Sequence, residues 1–326
     1  MKAFIGVDVS KKTLDVAAVA SNKIVFQAQF GNNKKGIADL IAKAARCLKA
    51  YNLVFGCEAT GVYHELFAKM VRHADFSVAV INPRLVHHEL ESMGRKTSTD
   101  RIDAQIIAYR LSKEQDRLWE PVDADQELLR DLILRRDQIL RTIKAEKSRL
   151  DRFPEGNRVR KSVKRIIKSL EKELAEIEKE ISNTVESSDI LKRKTELAKS
   201  VPGVGKLVSA SFVAVIGDIG RFENAGQLTS FLGLCPKQKI SGTSVNRSYL
   251  SRSGDGLLRR HLYMGAVSTL ARNNVYHDYY DSLISRGKCA KQALSAVMRK
   301  MARAIYAVLR DNKPFSMEKY GINPAT

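Results

Sequence analysis

Cysteine is scarce and scattered. Cys47, Cys57, Cys235 and Cys289 form no CxxC pair and no Cys/His spacing, which excludes a zinc finger and a disulfide scaffold and leaves reduced thiols as the reading. The histidines His64, His73, His87, His88, His261 and His277 show no metal-ligand spacing either. Without a GxxxxGK(S/T) loop a P-loop ATPase is excluded, and without later glycine-rich adenosine motifs so is a sugar-kinase-like or actin-like ATPase. No apolar run approaches the ~18 residues of a membrane span. The opening MKAFIGVDVS is too short and too soon charged for a signal peptide. A cytoplasmic protein is expected.

Acid is the other deficit. Against 56 Lys+Arg stand only 36 Asp+Glu, so the 326-residue chain carries a formal charge of +20 and a pI near 9.8. The surplus is localised. Residues 1–129 carry a net +2, 130–172 a net +9, 173–234 a net −2 and 235–313 a net +11. Two separate basic blocks are the electrostatic footprint of polyphosphate binding, since each phosphate contact releases condensed counterions. A solvated helix face is the bland alternative for one block alone. An anionic membrane surface fits less well, because neither block has an apolar face rich in Trp and Phe.

The order of elements predicts an α/β domain followed by mainly helical segments. FIGVDVS (4–10), TLDVAAVA (13–20) and KIVFQAQF (23–30) read as an antiparallel meander. A helix over 36–50, a strand over 53–58, a helix over 62–74, a strand stopped by Pro83 and a helix near 99–113 follow. Three strands and then αβαβ is the order of a ribonuclease-H-like sheet covered by helices. Between 124 and 195 the only proline and glycine are Pro154 and Gly156. There Val163, Ile167, Leu170, Leu174, Ile177 and Ile181 repeat at heptad spacing, so a helical hairpin with a coiled-coil seam is expected. The turn VPGVG (201–205) is of helix-hairpin-helix type, whose amides can hold a phosphate. Residues 233–256 read as a long polar loop, and Leu257–Leu309 as a basic helical run. The expected domains are 1–123, 124–195 and 196–326.

Four acids stand out. Asp8 and Glu58 close buried-looking strands, where an uncompensated carboxylate is costly. Asp100 and Asp103 share a helix face at i, i+3, with Ser98 or Thr99 as N-cap. Together they are the hard oxygen set that Mg²⁺ prefers, and two such ions serve phosphodiester displacement. Asp100 and Asp103 by themselves read more readily as ordinary first-turn acids complementing a helix dipole. Ser241 and Ser244 read by default as turn residues, since a nucleophilic serine leaves no trace without a visible base. Arg247, Arg252, Arg259 and Arg260 are candidate phosphate clamps. Tyr249, Tyr263, Tyr276, Tyr279 and Tyr280 are candidates for base stacking or for core.

GVDVSKKTLDV (6–16), CEATGVY (57–63), VINP (80–83) and KTSTDRIDAQIIA (96–108) resemble the DEDD-type insertion-sequence transposases, insertion-sequence family one-ten. That family includes Piv-like DNA invertases and bridge-RNA-guided recombinases. SVPGVGKLVSASFVAVIGDIGRF (200–222), FLGLCPKQKISGTSV (231–245) and LLRRHLYMGA (257–266) extend the resemblance over nearly the whole chain. Thr243 stands where relatives can carry serine, and Asn246–Arg247 replaces a glycine-containing stretch. The resemblance implies a RuvC-like (Holliday-junction-resolvase-like) N-terminal domain whose four acids fall on Asp8, Glu58, Asp100 and Asp103 and hold Mg²⁺. It also implies a C-terminal transposase domain whose serine nucleophile falls on Ser241, forming a transient phosphoserine link to DNA. A composite site with acids and serine from different subunits, a coiled coil in assembly, and a homo-oligomer (dimer, and tetramer in the synaptic complex) are implied too. So is a structured noncoding bridge RNA that pairs with target and donor DNA, and so is nucleoid association in a prokaryotic cytoplasm. The alternative is a RuvC-like Mg²⁺-dependent junction resolvase or nuclease that uses water and forms no covalent link.

Overall fold

The computed structural model describes residues 1–59, 61, 63–92, 99–114, 116–241, 245–251, 253–271 and 274–320. The chain divides into two compact units, Met1–Pro121 and Val122–Thr326.

In the first unit β1 (Lys2–Val9), β2 (Thr13–Ala20) and β3 (Lys23–Gly31) form an antiparallel meander. Then follow α1 (Lys34–Cys47), β4 (Asn52–Glu58), α2 (Tyr63–His73), β5 (Ser77–Ile81), α3 (Pro83–Ser92) and α4 (Asp100–Lys113). The sheet order is β3-β2-β1-β4-β5, with β4 and β5 parallel to β1. That is the ribonuclease-H-like arrangement expected from the element order. The sequence reading missed α3. Pro83 does stop the strand, but it also begins a helix, where its fixed φ and missing N–H cost nothing, and Val86 and Leu90 bury one helical face.

One core lies under α1 and α2, with Ile5, Leu14, Ile37, Leu40, Phe55 and Phe67 fully buried. A second lies under α3 and α4, where Ile81, Val86, Ile106 and Ile107 pack. On that second face α4 rides close to β1. A Cβ placed on Gly6 would sit 2.2 Å from the Ala104 carbonyl oxygen and 2.3 Å from the Ala108 nitrogen. Gly6 therefore sets how near the middle of α4 comes to β1. Since only backbone can yield there, Gly6→Ala is expected to cost about 3 kcal/mol, the upper end for overpacking, measured as a lowered urea midpoint.

The second unit is mainly helical. It comprises α5 (Ala124–Leu150), α6 (Arg158–Ser187), α7 (Asp189–Lys199), α8 (Lys206–Ile216), a 3₁₀ turn at Ile219–Arg221 and α9 (Ala225–Phe231). A hairpin, β6 (Pro236–Ser241) and β7 (Val245–Leu250), precedes α10 (Gly256–Thr269), α11 (Val275–Ser285), α12 (Ala290–Asp311) and α13 (Met317–Tyr320). The helices α5 and α6 pack as a hairpin, bridged by Arg136–Glu178 at 2.7 Å and Lys147–Glu171 at 2.9 Å. Arg160 closes the turn by donating to the Leu150 and Phe153 carbonyls at 3.1 and 2.6 Å, and Asn157 caps α6. Along the heptad positions Val163, Ile167 and Ile181 are buried, whereas Leu170, Leu174 and Ile177 are half-buried. The polar loop expected over 233–256 is instead the β6–β7 ladder, which pairs Pro236 with Leu250 through Ser241 with Val245. Its strands carry few apolar residues, so backbone hydrogen bonding rather than an alternating apolar face defines it.

A single large core joins α8, α9, α10, α11 and α12, with Phe212, Leu228, Leu258, Leu262, Met301 and Ile305 buried within it. The VPGVG turn leads into α8, and Gly203 has φ +80°, a left-handed conformation that glycine adopts without strain. A side chain there would strike Thr269 and the Gly265 carbonyl.

Candidate active site

The four acids reach one end of the first unit by three routes. Pairing between β1 and β4 runs to Val7 opposite Cys57, so Asp8 and Glu58 follow side by side at the two strand ends. Phe4, Gly6 and Asp8 alternate onto the face that α4 covers, because side chains repeat every two residues along a strand. On α4, Thr99 is the N-cap and accepts from the Ile102 amide at 3.4 Å, which sets Asp100 and Asp103 in the first turn. Of the two caps expected from sequence, Thr99 is the one seen; Ser98 lies outside the described residues.

Electrostatics register the convergence. Asp8 is pushed up from 3.8 to about 7, first by burial and then by the charges of Asp100, Asp103, Glu58 and Asp15. Glu58 is raised by burial and by Asp103. Next to it the Cys57 thiol, fully buried, is pushed up by desolvation and by Glu58, so it stays protonated. A cation beside Asp8 and Glu58 would relax the hindered ionisation of these two carboxyls. No group of three or more His, Cys, Asp or Glu side chains among the described residues already stands at metal-binding spacing. The donor set, all carboxylate oxygen, fits a hard divalent ion.

Sequence reasoning missed two residues here. Asp15 lies directly across from Asp8 in the β1–β2 ladder, is 4% exposed, and accepts from Gln29 Nε2 at 2.9 Å. A two-residue turn at Lys11–Lys12 is the signal that could have revealed it, because such a turn pairs 8 with 15. The turn is closed by Ser10 and Thr13, whose hydroxyls lie 2.8 Å apart. Asn32 is the other. Its Nδ2 donates to the Ser10 carbonyl at 2.8 Å and to the Tyr63 carbonyl at 3.2 Å, tying the end of β1 to the start of α2. No local pattern announces such a long-range tie.

In the second unit the β6 backbone ends at Ser241, paired with Val245. The side chains of Ser241, Arg247 and Tyr249 lie outside the described part of the structure, as do Ser244 and Arg252 altogether. Two of the arginine candidates have work within the chain. Arg259 donates to the Leu232 carbonyl at 3.0 Å, and Arg260 pairs with Asp137 at 2.6 Å. Of the tyrosines, Tyr276 is fully buried and Tyr279 is 7% exposed, so both are core and neither can stack on a base. Tyr263 remains 44% exposed. His261, half-buried on α10, contacts the Ser211 hydroxyl at 2.8 Å and is held below its usual value by burial and by Arg136. Ser211 itself is fully buried, which makes this pair structural.

A ribonuclease-H-like sheet with carboxylates gathered at the ends of its two central strands defines the class: an enzyme of nucleic-acid strand chemistry. A family model described as a transposase of DEDD, IS110 type matches residues 5–153, and one described as "Transposase IS116/IS110/IS902 family" matches residues 195–281. The two cover more than half of the chain, in order, and the chain belongs to this transposase family. Among its relatives is the "Pilin gene-inverting protein" of Moraxella bovis, 29% identical over 96% of this chain and 98% of that protein. The insertion element IS110 43.6 kDa protein of Streptomyces coelicolor is 35% identical over 34% of this chain and 28% of its own length. A putative transposase of Sinorhizobium fredii, y4qE, is 23% identical over 95% of this chain and 89% of that protein. The solved structure of T. thermophilus RuvC with a Holliday junction substrate overlaps 36% of this chain at 13% identity with a TM-score of 0.29, a likeness too slight to carry weight. The protein is thus a DNA transposase/recombinase in class. No helix among the described residues is long and apolar enough to cross a membrane.

Proposed function

We propose that the protein cleaves, exchanges and rejoins DNA strands through a serine-linked intermediate, at sites chosen by a structured noncoding RNA that pairs with target and donor DNA. The observation that supports the reading is the raised carboxyl of Asp8, on which burial and the charges of Asp100, Asp103 and Glu58 act, beside a Glu58 raised by burial and by Asp103. These four residues would hold Mg²⁺, which when bound supplies charge neutralisation at a phosphodiester and its leaving oxygen. Ser241 Oγ attacks phosphorus, the bridging P–O bond of the strand breaks, and the departing oxygen takes up a proton. The phosphoserine ester conserves the bond until a strand hydroxyl attacks it and releases the serine. Basic segments at 130–172 and 235–313 carry the nucleic-acid backbone, and sequence readout is left to base pairing, as in other guided systems. Domains 1–123, 124–195 and 196–326 then divide the labour into acids, assembly arm and serine domain. Pairing of the α5–α6 arm with another copy, in a dimer and a synaptic tetramer, would give composite sites. The discriminating experiment is RNA sequencing of the natively purified protein. A single discrete structured RNA encoded beside the gene is expected, and random tRNA and rRNA fragments would overturn the guided reading.

The strained acids set a pH dependence. The Asp8 proton is bound up to about pH 7 and has to leave before the carboxylate can ligate a cation. Divalent-ion affinity should therefore fall by up to ~10-fold per unit as the pH drops below 7. Calorimetric titration of the full-length protein with Mn²⁺ between pH 6 and 8 measures it. An affinity flat across that range would remove Asp8 from the ligand set.

A further inference from the structure

Asp15 occupies a costly position on β2. The β1–β2 register sets it directly opposite Asp8, and the β2–β3 register sets Gln29 directly opposite Asp15. Residues directly opposite in a ladder share a face. Gln29, Asp15 and Asp8 therefore form a row across three strands, on the face of the sheet that α4 covers. The preceding pair on that face is Gly6 and Ala17, where α4 makes its close approach. Asp15 is 4% exposed. Its hydrogen bond comes from the neutral Gln29 amide at 2.9 Å, and no Lys or Arg pairs with it among the described residues. A buried carboxylate without a cation is costly, and like charges directly opposite one another weaken a ladder.

A brace between β2 and β3 does not account for that cost. Backbone pairing from Thr13–Gly31 to Ala20–Lys23 already joins the two strands. Ala17 and Val19, the next residues of β2 on this face, are buried and uncharged, so the packing itself does not call for a carboxylate. A threonine at 15 would accept from Gln29 without setting a charge against Asp8. Aspartate differs from it in one respect, a negative charge fixed beside Asp8. The Gln29 amide holds Oδ2 of that carboxylate, and Asp15 is among the groups whose charge acts on Asp8. Local rules of sheet stability are broken in this way where function repays the cost.

We propose that Asp15 is a positioning residue of the cation site: Gln29 holds its carboxylate beside Asp8, and its charge raises the affinity of Asp8, Glu58, Asp100 and Asp103 for a divalent ion. It acts through Asp8 rather than as a further ligand, because it is buried one strand away from the β1–β4 pair whose ends carry Asp8 and Glu58. Directly opposite side chains stand ~5 Å apart at Cβ, a range at which charges act strongly where water is largely excluded. Without an ion that charge opposes Asp8; with one, it adds to the attraction. Groups that orient metal ligands and raise their basicity typically contribute ~10- to 100-fold to affinity. The inference rests on the cation reading above and deepens it, since it assigns a fifth acid and a glutamine to the tuning of that site.

The test is calorimetric titration of the full-length protein with Mn²⁺ at a single pH, comparing the wild type with Asp15→Asn, Gln29→Met and Asp8→Asn. Asparagine at 15 keeps an oxygen for the Gln29 amide and removes only the charge. Gln29 is exposed, so methionine there removes the donor without disturbing the core. Asp15→Asn should bind Mn²⁺ at least ~10-fold more weakly than the wild type, and Gln29→Met about threefold more weakly, as expected for one hydrogen bond. DNA strand cleavage by Asp15→Asn should return as Mn²⁺ is raised, whereas Asp8→Asn stays inactive; a merely structural role for Asp15 would not produce that rescue. Wild-type Mn²⁺ affinity in Asp15→Asn, or a cleavage defect that excess Mn²⁺ does not relieve, overturns the proposal and leaves the cation site itself standing. Should Asp15→Asn fail to fold, Gln29→Met decides, and unchanged affinity in it overturns the proposal. A wild type that binds no Mn²⁺, or an Asp8→Asn protein that binds it equally well, would remove the cation reading and this inference with it.

Discussion

Asp8→Asn is expected to lower DNA strand cleavage by at least ~10³-fold while making the metal-free protein more stable at pH 8 than the wild type. The two effects have one cause. Asp8 is half-buried at the end of β1 with Asp100, Asp103, Glu58 and Asp15 acting on it, and its carboxyl is pushed up to about 7 from 3.8. Because the folded protein holds that proton more tightly than the unfolded chain does, the stabilisation is full below about pH 4 and is lost as the pH rises through 7. At 1.36 kcal/mol per unit the shift corresponds to ~4 kcal/mol, and solvent screening of a half-exposed carboxylate cuts that to about 2 kcal/mol. Asparagine is neutral throughout. The variant should therefore gain about 2 kcal/mol at pH 8 and show a flatter stability profile between pH 4 and 7. Urea denaturation at several pH values, with chelator and then with Mg²⁺, checks it. Added Mg²⁺ should stabilise the wild type and leave the variant unchanged. An Asp8→Asn protein that cleaves normally, or one that is no more stable than wild type at pH 8, would show that these carboxylates do not form a strained cation site.

That strain was partly legible in the sequence. Asp8 and Glu58 could be placed at strand ends because the runs before them are β-branched and apolar, and Asp100 and Asp103 could be placed on one helix face by their spacing. What linked them was not legible. Gly6 gives α4 its close approach to β1, and the contact is made with Ala104 and Ala108, nearly a hundred residues further along. Asp15 joins the group through hairpin register, a property of the turn rather than of any periodic pattern. In the second unit the failures have a common origin. The β6–β7 hairpin was read as a loop because backbone pairing, unlike an apolar face, leaves little mark on composition. Arg260 reads as a free cation until Asp137, on a different helix, is seen beside it. Tyr276 and Tyr279 fit the period of a helix equally well as core or as stacking platform, and burial decided for core.

Ser241→Ala is expected to abolish strand exchange and the covalent protein–DNA species together, by at least ~10³-fold, because removing the nucleophile removes the step on which rejoining depends. The covalent species is assayed on a nicked suicide substrate under denaturing electrophoresis. The variant should keep wild-type DNA affinity and fold, since it loses one oxygen at the end of β6, where the Ser241–Val245 backbone pair closes the ladder. Full cleavage by Ser241→Ala would assign water as nucleophile and make the protein a junction resolvase or nuclease. Mixing this variant with Asp8→Asn carries the argument to assembly. If each site takes its acids from one subunit and its serine from another, a mixed dimer concentrates both lesions in one site and leaves the other intact. Random mixing of the two inactive proteins should then recover about a quarter of wild-type activity. If acids and serine belong to the same chain, every site in every mixed dimer carries one lesion and mixing recovers nothing. The outcome separates composite from self-contained sites, and it needs only proteins that are each inactive alone, so any recovered activity comes from the mixed assembly.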